Sequence, residues 1–369
     1  MSSEYRMKSE ELESFMTDVF EGLGVPRDEA AVCADLLSTA DKLGIDSHGI
    51  NRCKPIYYDR IKAGTQNAIT DFEIVRDHKA CAVVDGHNGM GHVIGKRCMQ
   101  MAIDKAREHG LGMVAARNST HYGIAGYYSL MGVEAGMIGV TGTNARPSIA
   151  PTFGVENMLG TNPLTFGMPT DEEFPFLLDC ATSVTQRGKI EYYAREGKKA
   201  PEGLVIDRNG GYMTDAQEIL DALVNDSAAL VPVGGEGEET GGYKGYGYAV
   251  VVELLSSALQ SGNFMKALTG QKDGQKAPIE LGHFFLAIDV ESFLPLDEFK
   301  ENTGNVLRAL RQSEKKPGAD RIYTAGEKEH LISVERAQKG VPLPEGVRDD
   351  MVAMRDELEL SEWGFPWED

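Results

Sequence analysis

Apolar residues recur at helical spacing along the first part of the chain. They predict a helix from about Ser9 to Gly22, because apolar side chains at intervals of three and four fall on one helical face. A second pattern of this kind predicts a helix from near Asp28 to about Asp41. Both helices offer an apolar face for packing and no side chain that suggests chemistry.

Short apolar runs bounded by glycine then alternate with helical patterns, which is typical of an α/β protein. The predicted strands cover residues 82–86, 112–116, 137–141 and 176–181. The predicted helices cover residues 96–109, 125–135 and 184–194, and Ser183 stands where it would cap the last of them. A helix N-terminus after Ser183 would suit a pyrophosphate group.

Three strand ends deliver polar side chains, namely His121, Asn144 and Asp179. If these strands are neighbours, the three groups converge at one edge of the sheet, where open α/β sheets bind ligands. His121 titrates near neutral pH and would serve as an acid or base, and Asp179 beside it would orient the imidazole. The alternatives are a histidine used only in packing and an aspartate that only caps a helix.

His48 and Arg52 form a second candidate pair. If Gly49 opens a helix that runs through Ile61, the two side chains lie one turn apart on the same face. Arg52 would then hold a carboxylate through a bidentate, charge-assisted fork. The alternative is a helix N-terminus with an exposed arginine.

The glycines of residues 89–95 stand between a predicted strand and a predicted helix, which is the setting of a dinucleotide-binding turn. Their spacing is G-x-G-x-x-x-G, and no acidic residue follows the next strand to bind a ribose. A tight turn with close helix packing explains them better. No metal site is predicted, because the spacing of His87 and His92 matches no helical metal pair and no H-E-x-x-H motif occurs.

Composition narrows the class of protein. The chain has 369 residues, 41% hydrophobic and 25% charged, and is therefore globular and long enough for two domains or one large one. Its net charge of -20 disfavours nucleic acid and membrane surfaces as partners, and a small anionic substrate would need a local basic pocket. Five scattered cysteines, no signal peptide and no membrane-spanning run predict a cytoplasmic protein.

Six motifs, taken together and in order, resemble one family. They are Ser47-His48-Gly49 with Arg52, Asn118-Ser119-Thr120-His121-Tyr122-Gly123, Leu159-Gly160-Thr161-Asn162-Pro163, Asp179-Cys180-Ala181-Thr182-Ser183, Tyr243-Lys244-Gly245-Tyr246-Gly247 and Gly282-His283-Phe284-Phe285. This combination, from about residue 9 to about residue 295, is similar to the type-2 malate/L-lactate dehydrogenase family, which includes sulfolactate and ureidoglycolate dehydrogenases and cyclic imino-acid reductases.

The resemblance implies an α/β fold with a mixed, non-Rossmann sheet of the L-sulfolactate dehydrogenase type, N-terminal and C-terminal helical parts, and a homodimer. The expected parts are an N-terminal helical segment (1–75), a cofactor-binding and catalytic region (76–245) and a C-terminal segment that returns to the N-terminal part (246–369). The expected cofactor is NAD, with NADP possible.

The resemblance also implies roles for residues. His121 would be the acid–base residue, with His48 and Asp179 as further catalytic candidates, and the substrate would contact Arg52, His48, Asn144 and Thr161. The cofactor would contact a larger set: His121, Tyr122, Gly123, Ala145, Asp179, Cys180, Ala181, Lys244, His283 and Phe284. Ala145 departs from the serine that many members carry, so a side-chain hydrogen bond to the cofactor is lost there.

The predicted activity is hydride transfer between nicotinamide and a small 2-hydroxy or 2-oxo acid of the malate, lactate or sulfolactate type. Within the family, an imino-acid reductase or a ureidoglycolate dehydrogenase is the alternative. Outside it, the alternatives are a lyase or isomerase that uses His121 and Asp179 without nicotinamide, and an oligomeric binding protein. The acidic loop Gly234–Gly242 is expected to be solvated, although a lid is an alternative, and the aromatic stretch Trp363–Trp367 is expected to dock on the body or on a partner subunit.

Overall fold

A computed structural model describes residues 5–368 and gives a mixed α/β fold. The α-helices are α1 (Ser9–Gly22), α2 (Arg27–Lys42), α3 (Asp59–Lys62), α4 (Gly91–His109), α5 (Gly126–Glu134), α6 (Arg187–Arg195), α7 (Ala216–Val224), α8 (Gly242–Ser256), α9 (Leu296–Gln312), α10 (Glu327–Lys339) and α11 (Glu345–Glu357). The strands are β1 (Arg6–Met7), β2 (Glu73–His78), β3 (Cys81–Asp85), β4 (Leu111–Ser119), β5 (Met137–Thr143), β6 (Leu164–Met168), β7 (Phe176–Cys180), β8 (Val205–Asp207), β9 (Ala228–Leu230), β10 (Gln271–Lys272), β11 (Gln275–Lys276), β12 (Leu281–Asp289) and β13 (Val341–Pro342).

The main sheet has seven strands in the order β2-β3-β4-β12-β5-β6-β7. Only β3 and β4 pair in parallel, and every other pair in this sheet is antiparallel. The expectation that the strands ending near His121, Asn144 and Asp179 are neighbours is therefore wrong, since β12 lies between β4 and β5, and β6 between β5 and β7. Strands β4, β5 and β7 nevertheless run in the same direction, so their carboxyl ends meet at one edge. The mixed, non-Rossmann sheet is confirmed.

Helices cover both faces of this sheet, and the alternation of side chains along β12 explains how. Phe285 and Ala287 of β12 point into a core shared with α4 and α5. Phe284, on the opposite face, packs on Val252 of α8 and Val140 of β5. The central strand is therefore buried on both sides, as its nearly continuous apolar sequence requires.

The two ends of the chain share a separate core, in which α1 and α2 pack against α11. The aromatic C-terminus docks there, as expected. Trp363 and Phe365 each lie 5.4 Å from the ring of Phe15 in edge-on contacts. Trp363 also donates a hydrogen bond of 3.0 Å to Asp18. Each aromatic pair contributes about 0.5–1.5 kcal/mol beyond its buried area. The predicted domain boundaries stay predictions, although the segment 246–369 supplies the central strand of the sheet.

The helix predicted to open at Gly49 is helical in three pieces. A 3-10 turn (Ile50–Arg52) is followed by a π-helical turn (Cys53–Tyr58) and then by α3. Single π-helical turns occur frequently at functional sites, because they change which side chains a helix presents.

The prediction that Ser183 caps a helix is wrong. The chain stays extended there, because Ser183 forms a bridge with Pro232 and the Val184 amide donates to Val231 at 2.9 Å. Helix α6 begins only after Gln186, which provides no side-chain cap. Within residues 5–368, no helix combines the length and apolar character needed to cross a membrane.

Candidate active site

His121 lies in the loop between β4 and α5, and the backbone of this loop is tightly constrained. Asn118 and Gly123 adopt left-handed conformations with φ of 50° and 79°. The first residue of α4, Gly91, approaches so closely that a Cβ atom would lie 2.3 Å from the Thr120 carbonyl oxygen and 2.5 Å from that of His121. Close helix packing therefore accounts for this glycine of the 89–95 turn, as expected, without a bound dinucleotide.

The imidazole of His121 is held by Tyr57, whose hydroxyl oxygen lies 2.6 Å from Nδ1. The Gly123 amide donates a longer hydrogen bond to the same nitrogen, at 3.3 Å. Tyr57 is fully buried, and burial raises its pKa well above the usual value, so the phenol keeps its proton. A hydroxyl group can donate or accept. Tyr57 therefore remains a partner of Nδ1 in either tautomer of His121, and Nε2 is free when Nδ1 carries the proton.

His48 and Arg52 lie beside this imidazole. The rings of His48 and His121 are stacked with their centroids 5.8 Å apart. The Nε of Arg52 donates to the Ser47 carbonyl oxygen at 2.6 Å, and its terminal nitrogens have no carboxylate partner among residues 5–368. The structure thus brings together two predicted substrate contacts and the predicted acid–base residue.

Buried Asp41 supports the segment that carries this pair. Its Oδ2 accepts a hydrogen bond of 2.9 Å from the Ile50 amide. A side chain on Gly49 would collide with it, since a Cβ there would lie 1.8 Å from Asp41 Oδ1. Burial raises the pKa of Asp41 to about 7, although the Ile50 hydrogen bond opposes this change. Gly49 is therefore required by close approach to Asp41.

The two histidines are neutral at pH 7. Burial, followed by the charge of Arg52, lowers the pKa of His48 to about 4. The pKa of His121 lies well below its usual value, first because the ring is desolvated and then because neighbouring groups that are or can become cationic disfavour a proton on it. Of these neighbours, Arg60 and Arg52 are the ones that carry their charge at pH 7. A neutral His121 is suited to accept a proton, and the surrounding positive charge favours an anionic ligand in a chain whose net charge is -20.

Both carboxylate oxygens of Asp179 have partners other than His121, and the catalytic and cofactor-binding roles of Asp179 stay predictions. Oδ2 accepts from the amide of Gly126, the first residue of α5, at 2.7 Å. Oδ1 accepts from the hydroxyl of Thr165 at 3.0 Å. Burial raises the pKa of Asp179, and the two hydrogen bonds oppose that change. The position predicted for Asp179, at the imidazole, is held by Tyr57, and Asp179 instead fixes the start of α5.

Asn144 stays a predicted substrate contact, although its side chain is fully buried and hydrogen-bonded within the fold. Its Nδ2 donates to the Asn263 carbonyl oxygen at 3.0 Å, and its Oδ1 accepts from the Gly282 amide at 2.8 Å. It ties the end of β5 to the start of β12. Thr161 is half-buried, and its carbonyl oxygen accepts from the Thr182 amide at 2.9 Å. Thr161 stays a predicted substrate contact.

The predicted cofactor contacts divide into an inner and an outer group. In the inner group, His283 and Tyr122 are buried and stacked, with ring centroids 4.4 Å apart. Both ring nitrogens of His283 are engaged, Nδ1 with Thr143 at 2.7 Å and Nε2 with Ser119 at 2.8 Å. Phe284 is buried as well. These three side chains pack in the interior, and as cofactor contacts they stay predictions. Buried Gly123 offers only its backbone.

The outer group is accessible. Cys180 and Ala181 line an apolar cavity of about 370 Å³ together with Val233 and with residues of α8. Lys244 is exposed in the first turn of α8, and Ala145 is partly exposed just beyond β5. These four residues stay predicted cofactor contacts. The acidic loop before α8 is exposed or partly exposed over residues 234–241, which fits a solvated segment.

Comparison with known proteins identifies the family. The family model described as malate/L-lactate dehydrogenase matches residues 7–352. The chain belongs to the malate/L-lactate dehydrogenase family. Its relatives include the malate dehydrogenase of Pyrococcus horikoshii, 43% identical over 94% of this chain and 93% of that protein. The L-sulfolactate dehydrogenase of Methanocaldococcus jannaschii is 35% identical over 96% of this chain and 98% of that protein.

Solved structures agree with this assignment. The crystal structure of malate dehydrogenase from Entamoeba histolytica matches with a TM-score of 0.94 at 42% identity, over 99% of this chain and 100% of that one. Sulfolactate dehydrogenase from Methanocaldococcus jannaschii matches with a TM-score of 0.85 at 35% identity, over 96% and 98% of the two chains. The resemblance inferred from the motifs is confirmed, and the protein is a member of a family of oxidoreductases.

The motifs of this dehydrogenase family did not point to Tyr57 or Arg60. Tyr57 meets His121 only through the tertiary fold, and the charge of Arg60 acts on the same imidazole. The sequence signal was weak: Tyr57 and Arg60 are one helical turn apart, but Tyr57 comes five residues after Arg52, which α-helical spacing does not place on the same face. In sequence, such a stretch is hard to distinguish from an ordinary packing helix.

Proposed function

We propose that this protein transfers a hydride between a nicotinamide cofactor and a small 2-hydroxy or 2-oxo acid of the malate, lactate or sulfolactate type. One observation carries the proposal: a neutral His121, bonded to Tyr57 through Nδ1, lies beside Arg52, whose terminal nitrogens have no acidic partner among the described residues. Proton transfer and carboxylate binding are the two tasks that such a substrate sets. Relatives named malate and L-sulfolactate dehydrogenase support the choice of substrate.

His121 moves the proton. Oxidation of a hydroxyl to a carbonyl group releases a proton from the oxygen. Nε2 of His121 accepts this proton in the tautomer whose ring proton is on Nδ1, where the Nδ1–H donates a hydrogen bond to the Tyr57 oxygen. In the reducing direction, the protonated ring returns this proton to the carbonyl oxygen. The low pKa of His121 makes it a strong proton donor in that direction and a weak base in the other.

Arg52 positions the substrate. Its Nε is committed to the Ser47 carbonyl oxygen, so the guanidinium plane is fixed, and the two terminal nitrogens form the fork that binds a carboxylate. His48, neutral and stacked on His121, offers a hydrogen bond rather than a charge. Together, Arg52 and His48 fix the orientation of the substrate and so decide which face of its reacting carbon is open to the cofactor.

The residues of the outer group fit a nicotinamide cofactor. The cavity beside Cys180 and Ala181 is lined almost entirely by apolar atoms, which suits a planar ring, and exposed Lys244 would pair with phosphate groups. When bound, the cofactor supplies or accepts the hydride. Relatives named ureidoglycolate dehydrogenase (NAD(+)) favour NAD, with NADP as the alternative.

We also propose a homodimer in the cytoplasm. Helix α8 presents Tyr248, Val251 and Leu254 as exposed apolar side chains, a surface suited to a second copy. The free thiols of Cys81 and Cys180 are exposed, which fits a reducing compartment. Sedimentation equilibrium tests the dimer. Titration of the folded protein with NADH and NADPH, followed by nicotinamide fluorescence, tests the cofactor. If neither NADH nor NADPH binds, the proposal of a nicotinamide cofactor is contradicted.

A further inference from the structure

A cavity of about 280 Å³ lies beside the loop that carries His121. Thr120, the residue before His121, forms part of its wall, and two arginines face it from different parts of the chain. Arg60 comes from α3, one helical turn after Tyr57, and Arg146 comes from the segment that follows β5. The cavity is therefore built from the same elements that hold the imidazole.

Neither arginine of this cavity is neutralised by the protein. Within residues 5–368, neither guanidinium forms a salt bridge or hydrogen bond with another side chain. The one acidic residue on the wall, Asp59, is bonded to Lys54 at 3.1 Å. A further cation, Lys276, also lines the cavity. Unpaired positive charge of this kind is notable because the chain carries 57 acidic residues against 37 basic ones.

Arg60 is the less accessible of the two arginines, because its side chain is half-buried whereas that of Arg146 is exposed. Burial lowers the pKa of Arg60 below the usual value, and the neighbouring charge of Arg146 lowers it further, although Tyr57 acts in the opposite direction. An unpaired guanidinium that is partly removed from water is stabilised when an anion binds it. The charge of Arg60 also reaches His121, since it contributes to the low pKa of that imidazole.

We propose that Arg60 and Arg146 bind a second anionic group of the substrate, so that the protein selects 2-hydroxy and 2-oxo acids with two anionic ends over those with one. This inference rests on the proposed function and assigns the specificity of the same site. Arg52 holds the carboxylate next to the reacting carbon, and the two further arginines hold a carboxylate or sulfonate at the other end. In this proposal the reacting carbon lies between the two anion sites, near His121.

Two substrates of equal chain length separate this role from general binding. Oxaloacetate carries a second carboxylate, whereas 2-oxobutyrate ends in a methyl group. We expect the wild-type protein to prefer oxaloacetate in kcat/KM, and Arg60→Met and Arg146→Met each to lower the ratio of the two kcat/KM values by at least about 30-fold. The loss should fall mainly on the KM for oxaloacetate. Arg60→Lys should retain part of the preference, because it keeps the charge but not the fork.

Arg76→Met is the matched control. Arg76 is exposed on β2 and lines a different cavity. The substitution removes the same charge from the chain, so the ratio of the two kcat/KM values should stay at the wild-type value. Thermal unfolding of each variant establishes that it is folded. Affinity for NADH and NADPH is measured in parallel, because the phosphates of a cofactor are the other anions that two arginines would hold.

The outcomes are distinct. An equal loss with both substrates, or weaker cofactor binding in the Arg60 and Arg146 variants, would overturn the second anion site. Reduction of 2-oxobutyrate and oxaloacetate by the wild-type protein with equal kcat/KM would overturn it as well and leave the proposed function standing. Failure of folded wild-type protein to reduce any 2-oxo acid with either cofactor would contradict the proposed function itself, and the second anion site with it.

Discussion

The contact between Tyr57 and His121 leads to the most direct prediction from the structure. In Tyr57→Phe, the hydroxyl that lies 2.6 Å from Nδ1 is removed, while the ring keeps its packing on His92 at 4.4 Å and on Phe20 at 6.1 Å. Nδ1 keeps only the longer hydrogen bond from the Gly123 amide. Loss of one hydrogen bond costs about 0.5–1.5 kcal/mol, which corresponds to about a 2- to 13-fold loss in kcat/KM. The variant should fold normally, because no cavity larger than one oxygen atom is created.

The assay for this variant is kcat/KM for oxidation of the 2-hydroxy acid as a function of pH. The acid limb of the profile should move to lower pH in Tyr57→Phe, because the protonated ring loses its acceptor. Cofactor affinity should not change. Tyr58→Phe is the matched control, since the adjacent hydroxyl donates to Glu357 at 2.6 Å and lies away from His121. A wild-type profile in Tyr57→Phe would refute the role assigned to this tyrosine.

Three further predictions follow from the site and its supports. His121→Ala should abolish turnover and keep NADH affinity in a fluorescence titration, and loss of binding by a folded variant would contradict its role in proton transfer. Gly91→Ala should lower both Tm and turnover, because its Cβ would lie 2.3 Å from a backbone oxygen of the loop, whereas Gly346→Ala, with open space around it, should do neither. Burial lowers the pKa of His92 and of His283 to about 3 in the folded protein. The same histidines in the unfolded chain keep the ordinary pKa of about 6.5, so the unfolded state binds protons first as the pH falls. Each histidine should therefore lower the free energy of unfolding by about 2 kcal/mol between pH 7 and pH 5, whereas Asp41, whose pKa is raised to about 7, raises it by about 2 kcal/mol over the same range. Urea titrations should still show lower stability at pH 5, and equal stability at the two pH values would contradict this.

Local patterns predicted much of the sheet. The apolar runs that became β4, β5 and β7 are bounded by glycine or polar residues, so their position and shared direction could be inferred. The position of β12 in the sheet could not be inferred in this way. It pairs residues 281–289 with residues 111–119 and 137–143, and such long-range pairing leaves no trace in local spacing.

Site residues could be predicted where they directly follow strands in the sequence. They could not be predicted where their role depends on contacts between distant parts of the chain. His121 was found because a strand, a loop and a helix surround it in sequence. Asn144 and His283 also stand at strand ends, but backbone and hydroxyl groups of neighbouring strands satisfy them in the interior. Tyr57 was missed because a buried tyrosine in a helical stretch resembles ordinary core until its partner is known.

The central claim is that His121 and Arg52 serve nicotinamide-dependent reduction of a 2-oxo acid. It is tested most directly by the absorbance of NADH, and separately of NADPH, after addition of oxaloacetate, pyruvate, sulfopyruvate or a cyclic imino acid to the folded protein. We predict that one cofactor is consumed with at least one 2-oxo acid, and that the same mixture with His121→Ala stays unchanged. If the wild-type protein neither binds nor consumes either cofactor, the claim is contradicted and a lyase, isomerase or binding role takes its place.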